Sequence, residues 1–392
     1  MKILFTSFLL FIAYTSFSQS KELVILDTHS KKPIDLAQIF YPNLDVGSIS
    51  NADGKVKIPL LESDIIISHV NYNSRKFTFN SFKQKDTLFL VHKRNQLEEV
   101  VIYDLDLKQK FEDIITNSYL KKYSTKKVIH NCTYKETFKV NDSLSRLFQV
   151  QLDWFSENSL FQIDKIMDKQ NMIHLESVDY SKILELDDSL TTSKAAYVEN
   201  ELFFQFAHLN LLLDLLINLT EDYEIKSVQK NENTNTVYFN ASLRQDGNVV
   251  YNHKNSLIVF DKDYKAIKQL KFNMEYETGF EVDVSKKNDI PYKKKTESHI
   301  MELSFNTLKN KKYSIGYYTS KLNGVIKTDK STDKVISEQS LFVTESELGK
   351  KLKKETMDFY KPFYESMPNN LKTKDVKILL TKNEKDFLDT KE

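Results

Sequence analysis

A single cysteine, Cys132, stands in 392 residues. No intramolecular disulfide can form, so any core the chain builds is held by apolar burial alone. Glycine and proline are scarce as well, seven and six residues against roughly 7% and 5% of an average chain. That scarcity argues against long flexible linkers, and no phosphate-cradling glycine-rich loop is present. An excess of one charge is also missing. The 56 Lys and Arg balance 55 Asp and Glu for a formal net charge of +1, so no global field draws the chain to nucleic acid or to an anionic membrane. Lysine runs such as YKKK (292–295) and KNKK (309–312) lie among polar residues and read as solvated turns. What the chain has in quantity is apolar surface. Hydrophobic residues make up 40%, including 26 Phe and 20 Tyr, enough to fill large cores without cross-links.

The first residues carry an export pattern. Met1 and Lys2 give a positive start, and residues 3–14 are apolar except for Thr6 and Ser7. Ser16 and Ser18 then supply the small residues expected before a cleavage point at Gln19. The run is shorter than the 20 or so residues a membrane span needs. The expectation is a signal peptide over 1–18 and an exported protein of the periplasm or of the outer membrane and cell surface. No cysteine follows the run to accept a lipid, and no transmembrane segment is expected after cleavage.

From Lys21 the chain reads as short strands cut by turns. ELVILD and LAQIFY are the first two. NADG (51–54) is a tight-turn signal, because glycine takes positive φ without steric cost. Val56, Ile58 and Leu60 alternate with Lys55, Lys57 and Pro59, which gives one buried and one wet face. DIIISHV is a continuous β-branched run suited to a strand covered on both faces. RKFTFN and DTLFLV follow. Some seven short strands in about 80 residues predict a small β-sandwich.

The order KKPIDLAQI (31–39), GSISNADGKVKI (47–58), DIIISHVNY (64–72) and LEEVVIY (97–103) resembles the carboxypeptidase-regulatory-like domain. That domain is a transthyretin-like, seven-stranded sandwich common at the front of exported Bacteroidota proteins. The resemblance implies a domain over 19–103 that packs or tethers rather than catalyses. Two positions depart from the family pattern: Val56 stands where an aromatic is usual, and Asn71 where glycine is usual. Asparagine is the next-best residue for left-handed backbone, so the turn is expected to survive.

After Tyr103 the period changes. Leu107, Phe111, Ile114, Ile115 and Ser118 fall on one side of a helix. Strands dominate from Tyr134, with Phe148, Val150, Leu152 and Trp154 alternating, and likewise Leu270, Phe272, Met274 and Tyr276. No βαβ rhythm appears, so the sheet over 104–392 is expected to be antiparallel and curved, with turns at DGN (246–248) and LNG (322–324). Helices are predicted near 105–121, 200–218 and 345–360, and a last strand at VKILL (376–380). The segment ENELFFQFAHLNLLLDLLINL (199–219) is apolar nearly all round. It is either a buried core helix or the lining of a hydrophobic ligand cavity; His208, Asn210 and Asp214 argue against a bilayer span. Residues 130–155, with Tyr134 and Glu136 as a Tyr-x-Glu element, are also similar to the region behind this sandwich in exported Bacteroidota proteins. That similarity implies no activity.

Chemistry is harder to find. His299 and Glu302 have the local spacing of a zinc carboxypeptidase motif, but no histidine follows to complete the set, and on a strand the two face opposite sides. No Gly-x-Ser-x-Gly elbow occurs. Cys132, near His130, fits a buried inert thiol. Asp187-Asp188 and Glu221-Asp222 lie in turn-like sequence, and no calcium loop is present. DTL (86–88) and DSL (142–144 and 188–190) resemble the O-glycosylation acceptor of exported Bacteroidota proteins. No catalytic, cofactor-binding or metal-ligating residue is assigned. The expected function is non-enzymatic binding or scaffolding of an envelope protein partner. The alternative is a carrier of a lipid or other apolar ligand, with residues 203–216 closing a half-barrel cavity.

Overall fold

The computed structural model describes residues 20–93, 105–123, 126–186, 198–285, 289–348, 352, 357–368, 371–373 and 376–390. The leader at 1–18, LEEVVIY, Asp187-Asp188 and the DSL at 188–190 lie outside the described residues. Strands hold 56% of the described residues and helices 16%, the mainly β class that the patterning predicts. Two compact units are present. The smaller takes residues 20–41, 48–93 and 377–379; the larger takes 42–47, 380–390 and the described residues between 105 and 376.

Residues 20–90 carry seven strands in two sheets. β1 (Ser20–Asp27) lies between β4 (Lys55–Pro59), antiparallel, and β7 (Thr87–Leu90), parallel. The second sheet runs β3-β2-β5-β6, from β2 (Gln38–Tyr41), β3 (Val46–Ile49), β5 (Ile65–His69) and β6 (Tyr72–Phe77). Leu23, Ile25, Val56, Ile58, Ile65 and Ile67 are all fully buried, every second residue of their strands, as the period of two requires. Ile66 is only half-buried, so DIIISHV is covered on one face rather than two. The NADG turn is closed by Asn51, whose side-chain oxygen accepts from the N–H groups of Asp53 and Lys55 at 3.1 and 3.0 Å. Gly54 there has φ +71°, and a Cβ would sit 2.6 Å from the Ile25 carbonyl oxygen. Asn71, in contrast, is not left-handed; its N–H donates to His69 Nδ1 at 3.0 Å, which tightens the turn instead. RKFTFN does not continue as a strand, because a one-turn helix, Phe79–Lys83, starts there and buries Phe82.

The larger unit is built on one twelve-stranded sheet. Its strands are β8 (Lys126–Val140), β9 (Ser143–Asn158), β10 (Asn171–Ile183), β11 (Thr220–Lys230), β12 (Thr234–Gln245) and β13 (Asn248–Asp261). The remainder are β14 (Ile267–Tyr276), β15 (Glu281–Val284), β16 (Pro291–Thr307), β17 (Tyr313–Lys327), β18 (Thr332–Leu348) and β19 (Leu371–Lys372). The order is β11-β12-β13-β14-β16-β17-β18-β8-β9-β10-β19, with β15 also on β16. Its ladders are antiparallel, as expected. Asn141-Asp142 (φ 47° and 65°) and Asp246-Gly247 (φ 51° and 80°) are hairpin turns with two positive φ values, the type whose twist matches paired strands. LNG makes no turn: Leu322–Gly324 pairs on both sides within β17.

One face of this sheet packs on helices. Asn200–Phe206 and Leu209–Asn218 form where a single helix is predicted, interrupted at Ala207-His208, where the His208 N–H bonds back three residues to Gln205. Phe203 rests on Tyr134 of β8 and Tyr318 of β17, and Phe204 on Trp154 of β9, with ring centroids 4.6–5.6 Å apart. The helix near 105–121 also forms, as Leu107–Asp113, a π turn at Ile114–Ser118 and Tyr119–Lys122, with Leu107, Phe111 and Ile114 inward. Phe305 of β16 and Trp154 of β9 line one small cavity, though their strands are four positions apart. That is roughly 19 Å along a flat sheet, so the sheet curls toward the helices. The opposite face of β8–β10 is covered by the Lys382–Asp389 helix, whose capping box joins Thr381 and Glu384, and by Leu380 on Leu147 and Tyr180.

Two sequence expectations fail at the C-terminal end. The helix near 345–360 is displaced at its start by β18, where Glu345 to Leu348 pair with Asn131 to Val128 of β8; a continuing ladder outweighs local helical periodicity. Residues 349–351 and 353–356 lie outside the described residues. VKILL forms no strand either, because the Leu379 carbonyl is taken by the Asn51 side chain while Leu380 packs on Tyr180. Phe204→Ala should cost about 3–5 kcal/mol in urea unfolding, whereas Leu202→Ala, at a 40% exposed position on the same helix, should stay within about 0.5 kcal/mol.

Candidate functional site

The residues singled out for chemistry are dispersed by the fold. His299 faces the concave side with its Nε2 on Ser320 Oγ at 2.7 Å, while Glu302 faces the other side, paired with Lys271 at 2.5 Å and near Tyr317. Among the described residues, no group of three or more His, Cys, Asp or Glu side chains converges as a metal site. Cys132 is buried, its Sγ 3.3 Å from the His130 carbonyl oxygen. Glu221 and Asp222 both meet Arg244, at 3.6 and 2.9 Å, on the exposed edge of β11. Of the two described acceptor-like motifs, Ser143 is exposed at a hairpin and Thr87 is half-buried in β7.

Tyr134 and Glu136 join a buried polar cluster. Glu136 Oε1 accepts from Arg146 Nε at 2.7 Å, its Oε2 accepts from Tyr134 OH at 3.2 Å, and Gln339 donates to the same hydroxyl at 3.0 Å. The Arg146 guanidinium stacks 3.9 Å from the centroid of Tyr364. Burial pushes the Glu136 carboxyl up, and the arginine beside it opposes that shift. Glu136 is fully buried and lines none of the cavities described below. The cluster's chemistry is to fix where the strands meet the Asn200 end of the helix, since Asn200 donates onward to the Lys361 carbonyl at 2.8 Å.

Two small cavities lie between helices and sheet. One, of about 50 Å³, touches His130, His208, Trp154 and Tyr123. The other, of about 80 Å³, touches His253, His299, Met274 and Met301 beneath Leu212 and Leu216. Burial pushes His130 down to about 3, and His208, His253 and His299 down to about 4, so all four imidazoles are neutral at pH 7.

A wider concave surface lies outside. Depressions of about 270 and 510 Å³ adjoin along the outer face of the Leu209–Asn218 helix and share Phe161, Ile163, Leu211 and Asp214. Ile163 and Ile166 stand 72% and 57% exposed at the edge, facing Tyr360 at 53%. The chain reaches this position because Asn210 clamps the backbone of Phe161, donating to its carbonyl and accepting from its N–H at 3.0 Å each, and Gln170 closes the loop onto Gln162 and Lys165. The rim is acidic. Among the described lining residues Asp164, Glu201 and Asp214 face a single cation, Lys165, and partial burial, with Glu199 and Asp168 nearby, pushes the Glu201 carboxyl up. Ile163 and Ile166 escape sequence reasoning, although two isoleucines in the polar run QIDKIMDKQ were the available signal. Neither the family models nor the curated proteins compared with the chain give a match.

The buried histidines make stability pH-dependent. The unfolded chain takes these protons near pH 6.5, whereas the folded chain refuses them until about pH 4. The unfolded state therefore binds more protons across that interval, and stability falls as pH drops through it. Each histidine contributes on the order of 3 kcal/mol that is fully present above pH 6.5 and lost by pH 4. Urea unfolding at a series of pH values should show this decline, and His208→Gln should flatten it by about one proton.

Proposed function

We propose that this is a non-enzymatic binding protein of the cell envelope, whose larger unit receives a basic, amphipathic segment of a protein partner in the groove over its helix pair. The observation that carries the reading is the combination of exposed Ile163, Ile166 and Tyr360 with a rim whose acids outnumber its cations. Apolar surface rimmed by one sign of charge suits a partner with apolar anchors flanked by Lys or Arg. Export is supported by the leader-like pattern of residues 1–18. The smaller unit, with short strands and a filled core, acts as a packing or tethering module, in keeping with the regulatory-like domain it resembles.

The carrier reading has less support. The concave face, where a half-barrel would hold a lipid, is occupied by Phe203, Phe204, Leu212 and Leu216. Cavities of about 50 and 80 Å³ are small against the roughly 300–1,000 Å³ of typical ligand sites, so an acyl chain would have to displace core side chains.

The test uses the full chain and two synthetic 18-residue amphipathic peptides of identical apolar spacing, one Leu/Lys and one Leu/Glu, followed by fluorescence anisotropy. The Leu/Lys peptide should bind, and at least tenfold more weakly to a chain carrying Ile163→Ser with Ile166→Ser or Glu201→Lys with Asp214→Lys. Equal affinity for both peptides, or indifference to these surface changes, would overturn the assignment. Stoichiometric lipid extracted from the purified protein would replace it with the carrier reading.

A further inference from the structure

Three neighbouring strands place His253, Met274 and His299 in one row. The register pairs His253 of β13 with Met274 of β14, and Met274 with His299 of β16. All three line the cavity of about 80 Å³ beneath Leu212 and Leu216, and Met301 stands in the adjacent row. Directly opposed residues on one face have Cβ atoms roughly 5 Å apart. Two imidazoles therefore flank a thioether at a separation that side chains of this length span, the more so on a concave sheet.

Each histidine is held by a serine. His253 Nδ1 lies 3.3 Å from Ser256 Oγ, and His299 Nε2 lies 2.7 Å from Ser320 Oγ. Ser256 accepts from the Asn273 N–H at 2.9 Å, and its own proton is assigned to the Asn273 carbonyl at 3.5 Å. Its remaining lone pair suits His253 Nδ1–H as donor, which leaves Nε2 as a bare acceptor. That Nε2 is buried and has no hydrogen-bond partner among the described residues. An orphaned buried acceptor is uncommon and asks for an explanation. A hydroxyl fixing one ring nitrogen while the other is free is also the outer-shell arrangement of metal-binding histidines.

We propose that His253, Met274 and His299 form a binding site for a soft monovalent cation, Cu(I) or its analogue Ag(I), with Met301 as a further thioether within reach. The donor set selects the ion. Thioether sulfur favours Cu(I), whereas calcium and magnesium demand oxygen and structural zinc prefers thiolates, imidazoles or carboxylates in fours. The set carries no charge, so the bound ion's own charge remains in an apolar pocket, which disfavours a divalent ion far more than a monovalent one. This site is independent of the outer groove and of the function read from it.

The test is anaerobic titration of the full chain with Cu(I) against the chromophoric competitor bicinchoninate. One equivalent should be withdrawn from the chelator, and Ag(I) should raise the melting temperature. Met274→Leu, a volume-conserving change that keeps the core, and His253→Gln should each weaken uptake at least tenfold, while Cys132→Ser should not. X-ray absorption of the Cu(I)-loaded wild-type chain, which needs no variant to fold, should show imidazole nitrogen together with sulfur. Failure of the wild type to compete for Cu(I), uptake unchanged in Met274→Leu, or a metal shell without sulfur would each overturn the proposal.

Discussion

A helix with apolar residues on nearly every side exists in water only when most of that surface is covered. The segment from Asn200 to Asn218 is that helix, and the larger unit is organised around covering it. Phe203 and Phe204 reach Tyr134, Trp154 and Tyr318, and Leu212 and Leu216 share a small cavity with Phe272 and Met301. Those partners sit on five different strands. A flat sheet could not present them together to so short a helix, so the concavity of the sheet and the burial of the helix are one requirement. The break at Ala207-His208 follows as well, since it lets the two halves take different directions across a curved surface.

The same burial shapes the surfaces the molecule presents. Phe203, Phe204, Leu212 and Leu216 fill the concave face, and the two cavities between helices and sheet are small, about 50 and 80 Å³. Burial of the inner side also turns the outward side of the helix pair, with Glu201, Leu211 and Asp214, into the floor of a groove flanked by exposed isoleucines. Four histidines are drawn into the interior and held neutral, so folding is linked to pH.

Much of this was readable from residue order. Alternation at Val56 and Ile58, at Phe148 to Trp154 and at Leu270 to Tyr276 marks real strands with the correct inward face, because a period of two survives any tertiary arrangement. The apolar stretch at 199–219 announces burial for the same reason. What failed depends on partners distant in sequence. Glu345 to Leu348 has a helical pattern but joins the ladder of β8, and Leu322–Gly324 looks like a turn but lies mid-strand. The His253, Met274 and His299 row was invisible because its members come from three strands and follow no linear spacing. Zinc-like spacing joins His299 with Glu302, which the strand sends to opposite faces. Ile163 and Ile166 were passed over because exposure is set by the Asn210 clamp on Phe161, which no local pattern encodes.

Native-state hydrogen exchange of the amides of residues 209–218, compared with those of β8 and β17, bears most directly on whether the helix pair is core rather than a removable cover. Exchange as slow as in the two strands, with a single common opening free energy, is the predicted result. Amides in 209–218 that exchange orders of magnitude faster while the strands remain protected would show a helix that lifts off the sheet, and would contradict the account.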